Sequence, residues 1–303
     1  MRVRVIHETV YEYDEPVTTS HHEVHLTPRD GEGQVCLAHD IAISPTPSAM
    51  RERFDYFGNR VRYFGVHESH RSLRIIAKSE VRMSRPSRPL PLWSPAWENV
   101  RDLLERDRRP DTLDAYGFTF DSEYASASPD LSAFVAPSFA AGRPLLEAVL
   151  DLTRRIFTEF VYDPTATQVS TPIAEVLENR RGVCQDFAHL MIGCLRSLGL
   201  PARYVSGYLL TTPPPGKARL VGADASHAWV STYFPDIGWV DFDPTNNLMQ
   251  SSQHVTVAFG RDFRDVSPLR GVILGGGRHA LKVSVDVSPV SDASPSSQSQ
   301  SQS

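Results

Sequence analysis

The period of the hydrophobic pattern changes once along this chain, and that change constrains the fold more than any other feature. Up to about residue 85, apolar residues recur at every second position. Val3 and Val5, then Val10, Tyr11 and Tyr13, are separated by polar residues. The pattern returns at His25–Leu26, Ile41–Ile43, Val61–Phe64 and Leu73–Ala77, with the turn signal Phe57-Gly58-Asn59-Arg60 before Val61. Such alternation predicts half-buried strands. From about residue 143 the period becomes that of a helix. Between the two regimes stands Arg85-Pro86-Ser87-Arg88-Pro89-Leu90-Pro91-Leu92-Trp93-Ser94-Pro95, a stiff connector and a natural boundary. Strands thus come first and helices later. The chain's expected parts are a β-rich domain over 1–85, a connecting segment over 86–140 that the pattern does not order, and a core over 141–285. A Ser/Gln-rich tail over 286–303 is expected to be disordered.

Three helices can be read in the core. Pro144 suits a first helical turn, and Leu145, Leu146, Val149, Leu152, Ile156 and Phe160 share one face, so a helix is predicted over 143–160. Thr171 as cap and Pro172 as first residue predict a shorter one, ending near Arg180. After Gly182, the residues Phe187, Leu190, Met191, Cys194, Leu195 and Leu198 follow the i, i+3, i+4, i+7, i+8, i+11 series. Gly199 and Pro201 stop that helix.

At 303 residues and 41% hydrophobic the chain can bury a large core. Its net charge of −5 comes from interspersed signs with no basic stripe, which argues against a nucleic-acid partner. No run approaches the roughly 18 apolar residues of a membrane span. The polar start MRVRVIHETVYEYDEP supplies no apolar signal segment. Three widely spaced cysteines argue against a disulfide scaffold and for a reducing compartment, so a cytoplasmic protein is expected. His7, His21, His22 and His25 have no partners at zinc-ligand spacing and read as surface and strand histidines.

The chemistry turns on Cys184, in Gly182-Val183-Cys184-Gln185-Asp186-Phe187-Ala188-His189-Leu190. Cys194 lies mid-stripe and Cys36 has no motif around it; both read as structural. Cys184 differs by lying in the first helical turn, where free backbone N–H groups and the helix dipole favour a thiolate. The same groups can hold an oxyanion. Gly182 reads as a tight-turn residue. A cysteine nucleophile needs a base, and the base needs an orienting acceptor. Alternation through Ser226–Phe234 puts His227, Trp229, Ser231 and Tyr233 on one face. Pro235-Asp236-Ile237-Gly238 turns, and Trp239–Asp243 returns. With Tyr233 opposite Trp239, Asp243 falls opposite Trp229, diagonal to His227 and within its reach. Asp241 then faces Ser231, too far away. A four-residue loop without a bulge sends the acid and the imidazole to opposite faces instead. Asp186 and His189, three apart, read as local structural polar groups.

At these residues the chain resembles the transglutaminase-like superfamily, specifically its bacterial members with a characteristic β-rich N-terminal domain. The segments that carry the resemblance are RRGVCQDFAHLMIGCLRSLGLPARYVSGYL, SHAWVSTYFPDIGWVDFDPTNN and GRDFRDVSPLRGV in the core, with YEYDEPVTTSHHEVHLTPRD and DYFGNRV near the start. The resemblance covers roughly 1–85 and 140–285. It implies an α+β fold with a papain-like core whose catalytic Cys, His and Asp fall at Cys184, His227 and Asp243. It also implies thiol-dependent acyl chemistry on peptide or glutamine-type amides through a thioester. Hydrolysis, as in a cysteine peptidase or amidase, is expected over amine transfer. The alternatives are protein-glutamine γ-glutamyltransferase cross-linking and a non-catalytic binding module that keeps the fold.

The oxyanion is expected against the Cys184 N–H, with Tyr162 as second donor and Gln185, by N–H or side chain, behind it. Trp229 is a substrate-contact candidate, and with Tyr233 and Trp239 could wall a lysine tunnel. The expected partner is a peptide or protein amide. This chemistry calls for no cofactor. A metal site on Cys184, His189 and His227 lacks a close ligand pair, and no EF-hand loop supports the calcium dependence of animal members. The segment Thr211–Asp224 reads as either a loop over the site or a long surface connection. The sequence does not fix an oligomeric state.

Overall fold

The computed structural model describes residues 1–31, 33–84, 94–210, 226–249 and 251–290. Most of the Pro-rich connector, the segment 211–225 and the last thirteen residues, 291–303, lie outside the described residues.

The alternating region forms β1 (Arg2–Val24), β2 (Gln34–Ser44), β3 (Ala49–Phe54), β4 (Arg60–Val66) and β5 (His70–Met83). They belong to an antiparallel seven-stranded sheet in the order β2-β5-β1-β4-β3, to which two late strands also attach. β1 is long enough to serve two sets of neighbours. Its first half lies between β5 and the last strand, and its second half between β4 and the strand before it. The register shifts between Glu12 and Val17, around Pro16, which has no N–H for the ladder.

The segment between the two regimes contains α1 (Trp97–Arg106), α2 (Pro110–Tyr116) and α3 (Pro129–Val135). Then come α4 (Leu145–Glu159), β6 (Val161–Tyr162), α5 (Ile173–Asn179), β7 (Arg181–Gly182) and α6 (Cys184–Ser197). Pro144 and Pro172 are N-caps, with ψ of 134° and 144°, so α4 starts two residues, and α5 one residue, later than the sequence suggests. Thr171 does not cap α5, because its hydroxyl accepts the Gln168 N–H at 2.9 Å. The second sheet is antiparallel, β11-β10-β9-β8-β12, built from β8 (Ala202–Leu209), β9 (Ser226–Phe234), β10 (Gly238–Asp243), β11 (Leu248–Met249) and β12 (His254–Gly260). Helix α6 packs against β8 and β9.

After α7 (Phe263–Val266) the chain returns to the first sheet as β13 (Leu269–Gly275) and β14 (His279–Val290). This corrects two expected boundaries. The core does not run to 285 and the tail does not begin at 286. Val285 and Val287 alternate into the interior, fully buried, and β14 pairs with β1 as far as Arg2 opposite Val290. One apolar core joins the modules, running from Val3, Val5 and Val287 through α4 and α6 to Phe242.

Two buried side-chain amides also join them. Asn59 Nδ2 donates to the Phe259 carbonyl at 2.9 Å, and its Oδ1 accepts the Phe259 N–H at 3.0 Å. Gln34 does the same for Thr256, at 2.7 and 2.8 Å. Each amide copies a strand's hydrogen-bonding pair, so the exposed edge of β12 is closed by the first module.

Candidate active site

Helix α6 begins at Cys184, with Val183 as an extended N-cap. Its first intrahelical bond runs from Phe187 N–H to the Val183 carbonyl, so the N–H groups of Cys184, Gln185 and Asp186 lie ahead of the ladder. Asp186, buried, accepts the Val183 N–H at 2.8 Å and the Thr167 hydroxyl at 2.6 Å. Burial raises its pKa, and these two bonds act against the rise. Gly182 is not a turn residue. Its φ lies outside the left-handed region, and it pairs with Tyr162 in a short parallel bridge. A Cβ there would stand 2.7 Å from Asp186 Oδ2 and 2.9 Å from Asp186 Cβ, so glycine is required by the close approach of the capping carboxylate.

The β9–β10 hairpin delivers the other two residues in the expected register: Tyr233 lies opposite Trp239, and Asp241 opposite Ser231. The turn residue Asp236 has φ of 66°, and Gly238 has φ of 94°. His227 Nε2 donates to Asp243 Oδ2 at 2.7 Å, which leaves Nδ1 to face the thiol. Burial pulls the His227 pKa down most strongly. The hydrogen bonds and charges of Asp243 and Cys184 overcome it and raise the value to about 10. Asp243 is held well below the usual carboxylate range: burial opposes this, but donors from His227, His254 and Asn246 prevail. Cys184 is half-buried, whereas Cys194 is fully buried and its thiol is pushed far up by desolvation.

Asp241, two residues before Asp243, takes the Trp229 indole N–H at 2.8 Å. Trp229 is fully buried beneath Gly207, where an added Cβ would stand 2.6 Å from its ring. It is a packing residue, and the substrate-contact reading is corrected. Gln185 turns its side chain to the Val169 carbonyl at 3.2 Å, so only its backbone N–H is available at the helix start. Tyr162 is half-exposed, and its phenol is raised by burial and then by the charge of Cys184. His189 accepts the Phe263 N–H at 3.2 Å, and burial lowers its pKa to about 4. It does not join Cys184 and His227.

Three participants escaped the sequence reading. Tyr204 is buried against the His189 and Phe263 rings, and burial, then the charges of Cys184, Asp186 and Asp262, raise its phenol. Asn246 donates Nδ2 to Asp243 Oδ2 at 2.7 Å, and its backbone N–H reaches Oδ1 at 3.2 Å. His254, at the start of β12, donates Nε2 to Asp243 Oδ2 at 3.2 Å. The Asn-rich turn after Asp243 hinted at Asn246; nothing local marks His254 or Tyr204. His227, Asp243 and His254 also form the one set of three potential metal ligands among the described residues. Their 2.7 and 3.2 Å contacts are hydrogen bonds aimed at one carboxylate oxygen, so the set is a proton network. A cavity of about 520 Å³ lies elsewhere, bordered by Tyr56, Phe57, Phe118 and Phe120, and none of Cys184, His227 and Asp243 lines it.

Comparison with known proteins agrees with this architecture. Residues 3–82 match the bacterial transglutaminase-like N-terminal region, and residues 133–244 the transglutaminase-like superfamily. An uncharacterized protein of Mycobacterium tuberculosis is 43% identical over 95% of this chain and 93% of its own length. A protein-glutamine gamma-glutamyltransferase of Pseudomonas aeruginosa is 32% identical, over 31% of this chain and 15% of that protein. A crystal structure of a protein from Cytophaga hutchinsonii, proposed to be a cysteine protease, superposes with a TM-score of 0.76 at 21% identity, covering 97% of this chain and 93% of that one. The chain belongs to the transglutaminase-like superfamily, among members that carry the bacterial N-terminal region.

Proposed function

We propose that the protein is a thiol-dependent enzyme that cleaves peptide or glutamine-type amides, with Cys184 as nucleophile, His227 as proton carrier and Asp243 as its orienting acceptor. The observation that carries this reading is the His227–Asp243 bond at 2.7 Å with the Cys184 thiol on the ring's other side. The thiolate attacks the amide carbonyl while the helix-start N–H groups face the developing oxyanion. His227 then delivers its proton to the departing nitrogen, the C–N bond breaks and a thioester remains. Water, losing a proton to His227, attacks the thioester; the C–S bond breaks and the acid leaves. Asp243 keeps the imidazole oriented throughout.

Hydrolysis is favoured over amine transfer. Water at about 55 M intercepts a thioester unless the site excludes water and holds an amine. The aromatics offered by the sequence as walls of an amine tunnel are engaged elsewhere. Trp229 bonds Asp241, Tyr233 donates to Asp111 at 3.0 Å, and Trp239 packs on Phe118 and under Arg203. Transfer is the second reading, supported by the name of the Pseudomonas relative. A labelled glutamine-containing acyl donor, incubated with increasing primary amine at neutral pH, decides between them. Free acid is expected to dominate at low millimolar amine; dominance of the substituted amide assigns transfer. A protein that never consumes donor, and whose Cys184 resists a mild alkylator, is a binding module.

A further inference from the structure

Asp243 accepts more donors than orienting one imidazole requires. Oδ1 takes the Thr245 N–H at 3.0 Å and the Asn246 N–H at 3.2 Å. Oδ2 takes His227 Nε2 at 2.7 Å, Asn246 Nδ2 at 2.7 Å and His254 Nε2 at 3.2 Å. The Oδ1 bonds come from the turn backbone, so they fix where the carboxylate stands. His254 is not part of that turn. It is brought in from the edge strand β12, is 1% exposed, and is itself held by Ser251 Oγ at 3.1 Å from Nδ1 and by an edge contact with the Trp229 ring at 5.1 Å. Burying an imidazole and aiming it at an already oriented oxygen costs desolvation that packing alone does not require.

We propose that His254 is a positioning residue of the site: by donating Nε2–H to Asp243 Oδ2 beside His227, it shares the charge of that oxygen and keeps the His227 proton transferable. A carboxylate serving His227 alone would bind the imidazolium more tightly, and a proton carrier works best when it can both give and take. The titratable groups facing this cluster are Cys184 from α6, His227 from β9 and Asp243 from β10. Asp241, on the same strand as Asp243, is turned to the Trp229 indole. The inference rests on His227 being the proton carrier of the proposed reaction.

The test compares His254→Phe, which keeps the ring packing and loses the donor, with His254→Gln, which can still donate to Asp243 and accept from Ser251. The imidazole ¹⁵N and ¹H signals of His227, identified by their loss in His227→Gln, are followed against pH in folded protein. His254→Phe is expected to raise the His227 titration midpoint by about one pH unit, a tenfold change in proton affinity. It should lower kcat about tenfold with KM within about twofold. His254→Gln should restore both to near the parent values. An unchanged or lowered midpoint in His254→Phe, or equal shifts in the two variants, overturns the proposal. The NMR midpoint needs no turnover, so it stays decisive for His254 even if Cys184→Ala retains activity and the nucleophile assignment fails.

Discussion

His7 and His22 of the first sheet and His227 of the second are all largely withdrawn from water, and they end with opposite proton affinities. In the first sheet His7, 2% exposed, sits between the Tyr208 hydroxyl at 2.9 Å and the Thr9 hydroxyl at 3.1 Å, and burial lowers its pKa to about 4. His22, beside Phe64, is likewise lowered to about 4, by burial and then by His70 and His21. In the second sheet His227, also removed from water, is raised to about 10. Burial penalises the charged imidazole in all three places; only at His227 do a carboxylate and a thiol stand close enough to reverse it. Depth of burial therefore does not locate the chemistry of this molecule. The partner does.

Removing the thiol is the most severe way to test that contrast. Cys184→Ala and Cys184→Ser are expected to reduce amide cleavage by about 10⁴-fold or more while leaving the melting temperature nearly unchanged, since the residue is half-buried at a helix start. Cys194→Ala should behave the opposite way. It keeps full turnover but loses about 1 kcal/mol of stability from a packed core position. Turnover by either Cys184 variant would break the assignment.

Removing the carboxylate comes next. Asp243→Asn takes from His227 its strongest proton-stabilising contact and should make it behave like His7, with the imidazole deprotonated near neutral pH. Cleavage is expected to fall about 10³-fold, because an amide can present its N–H to the ring and hold the wrong tautomer. Asp241→Asn keeps an oxygen to accept the Trp229 indole N–H and loses only the charge of that bond, so it should cost under about tenfold, with some loss of melting temperature. Equal losses in the two variants would mean that Asp243 has no special claim on His227.

How much of this could be read beforehand follows the range of the interactions. The stripe of α6, the first-turn position of Cys184 and the parity linking His227 to Asp243 are local patterns, and each appears in the structure where the sequence put it. His254 and Tyr204 come from strands whose approach to the site is set by sheet order, which no spacing encodes. The side chains of Gln185 and Trp229 were misread because each had a nearer partner, the Val169 carbonyl and the Asp241 carboxylate. The segment before α3 could not be ordered because its organiser is distant. Buried Arg196 on α6 bonds the Phe118 carbonyl at 3.1 Å and Ser122 Oγ at 2.8 Å. The return of β13 and β14 to the first sheet was hidden for the same reason.

The last expected effect is on stability rather than turnover, and it tests the first sheet's side of the comparison. A histidine whose folded pKa is lowered binds fewer protons folded than unfolded between that value and its ordinary 6.5. Its contribution is intact above pH 6.5 and is lost as pH falls toward about 4. For buried His7 the full span corresponds to about 3 kcal/mol. His227 runs the other way: its contribution is intact below pH 6.5 and is lost as pH rises through about 10. His7→Gln can still bond the Tyr208 hydroxyl but cannot take up a proton, so its unfolding free energy should change less between pH 6.5 and 4.5 than that of the parent. Denaturant midpoints at several pH values across that window measure it. A parallel decline in parent and His7→Gln would show that His7 does not report the burial penalty, and that the contrast with His227 rests on His22 instead.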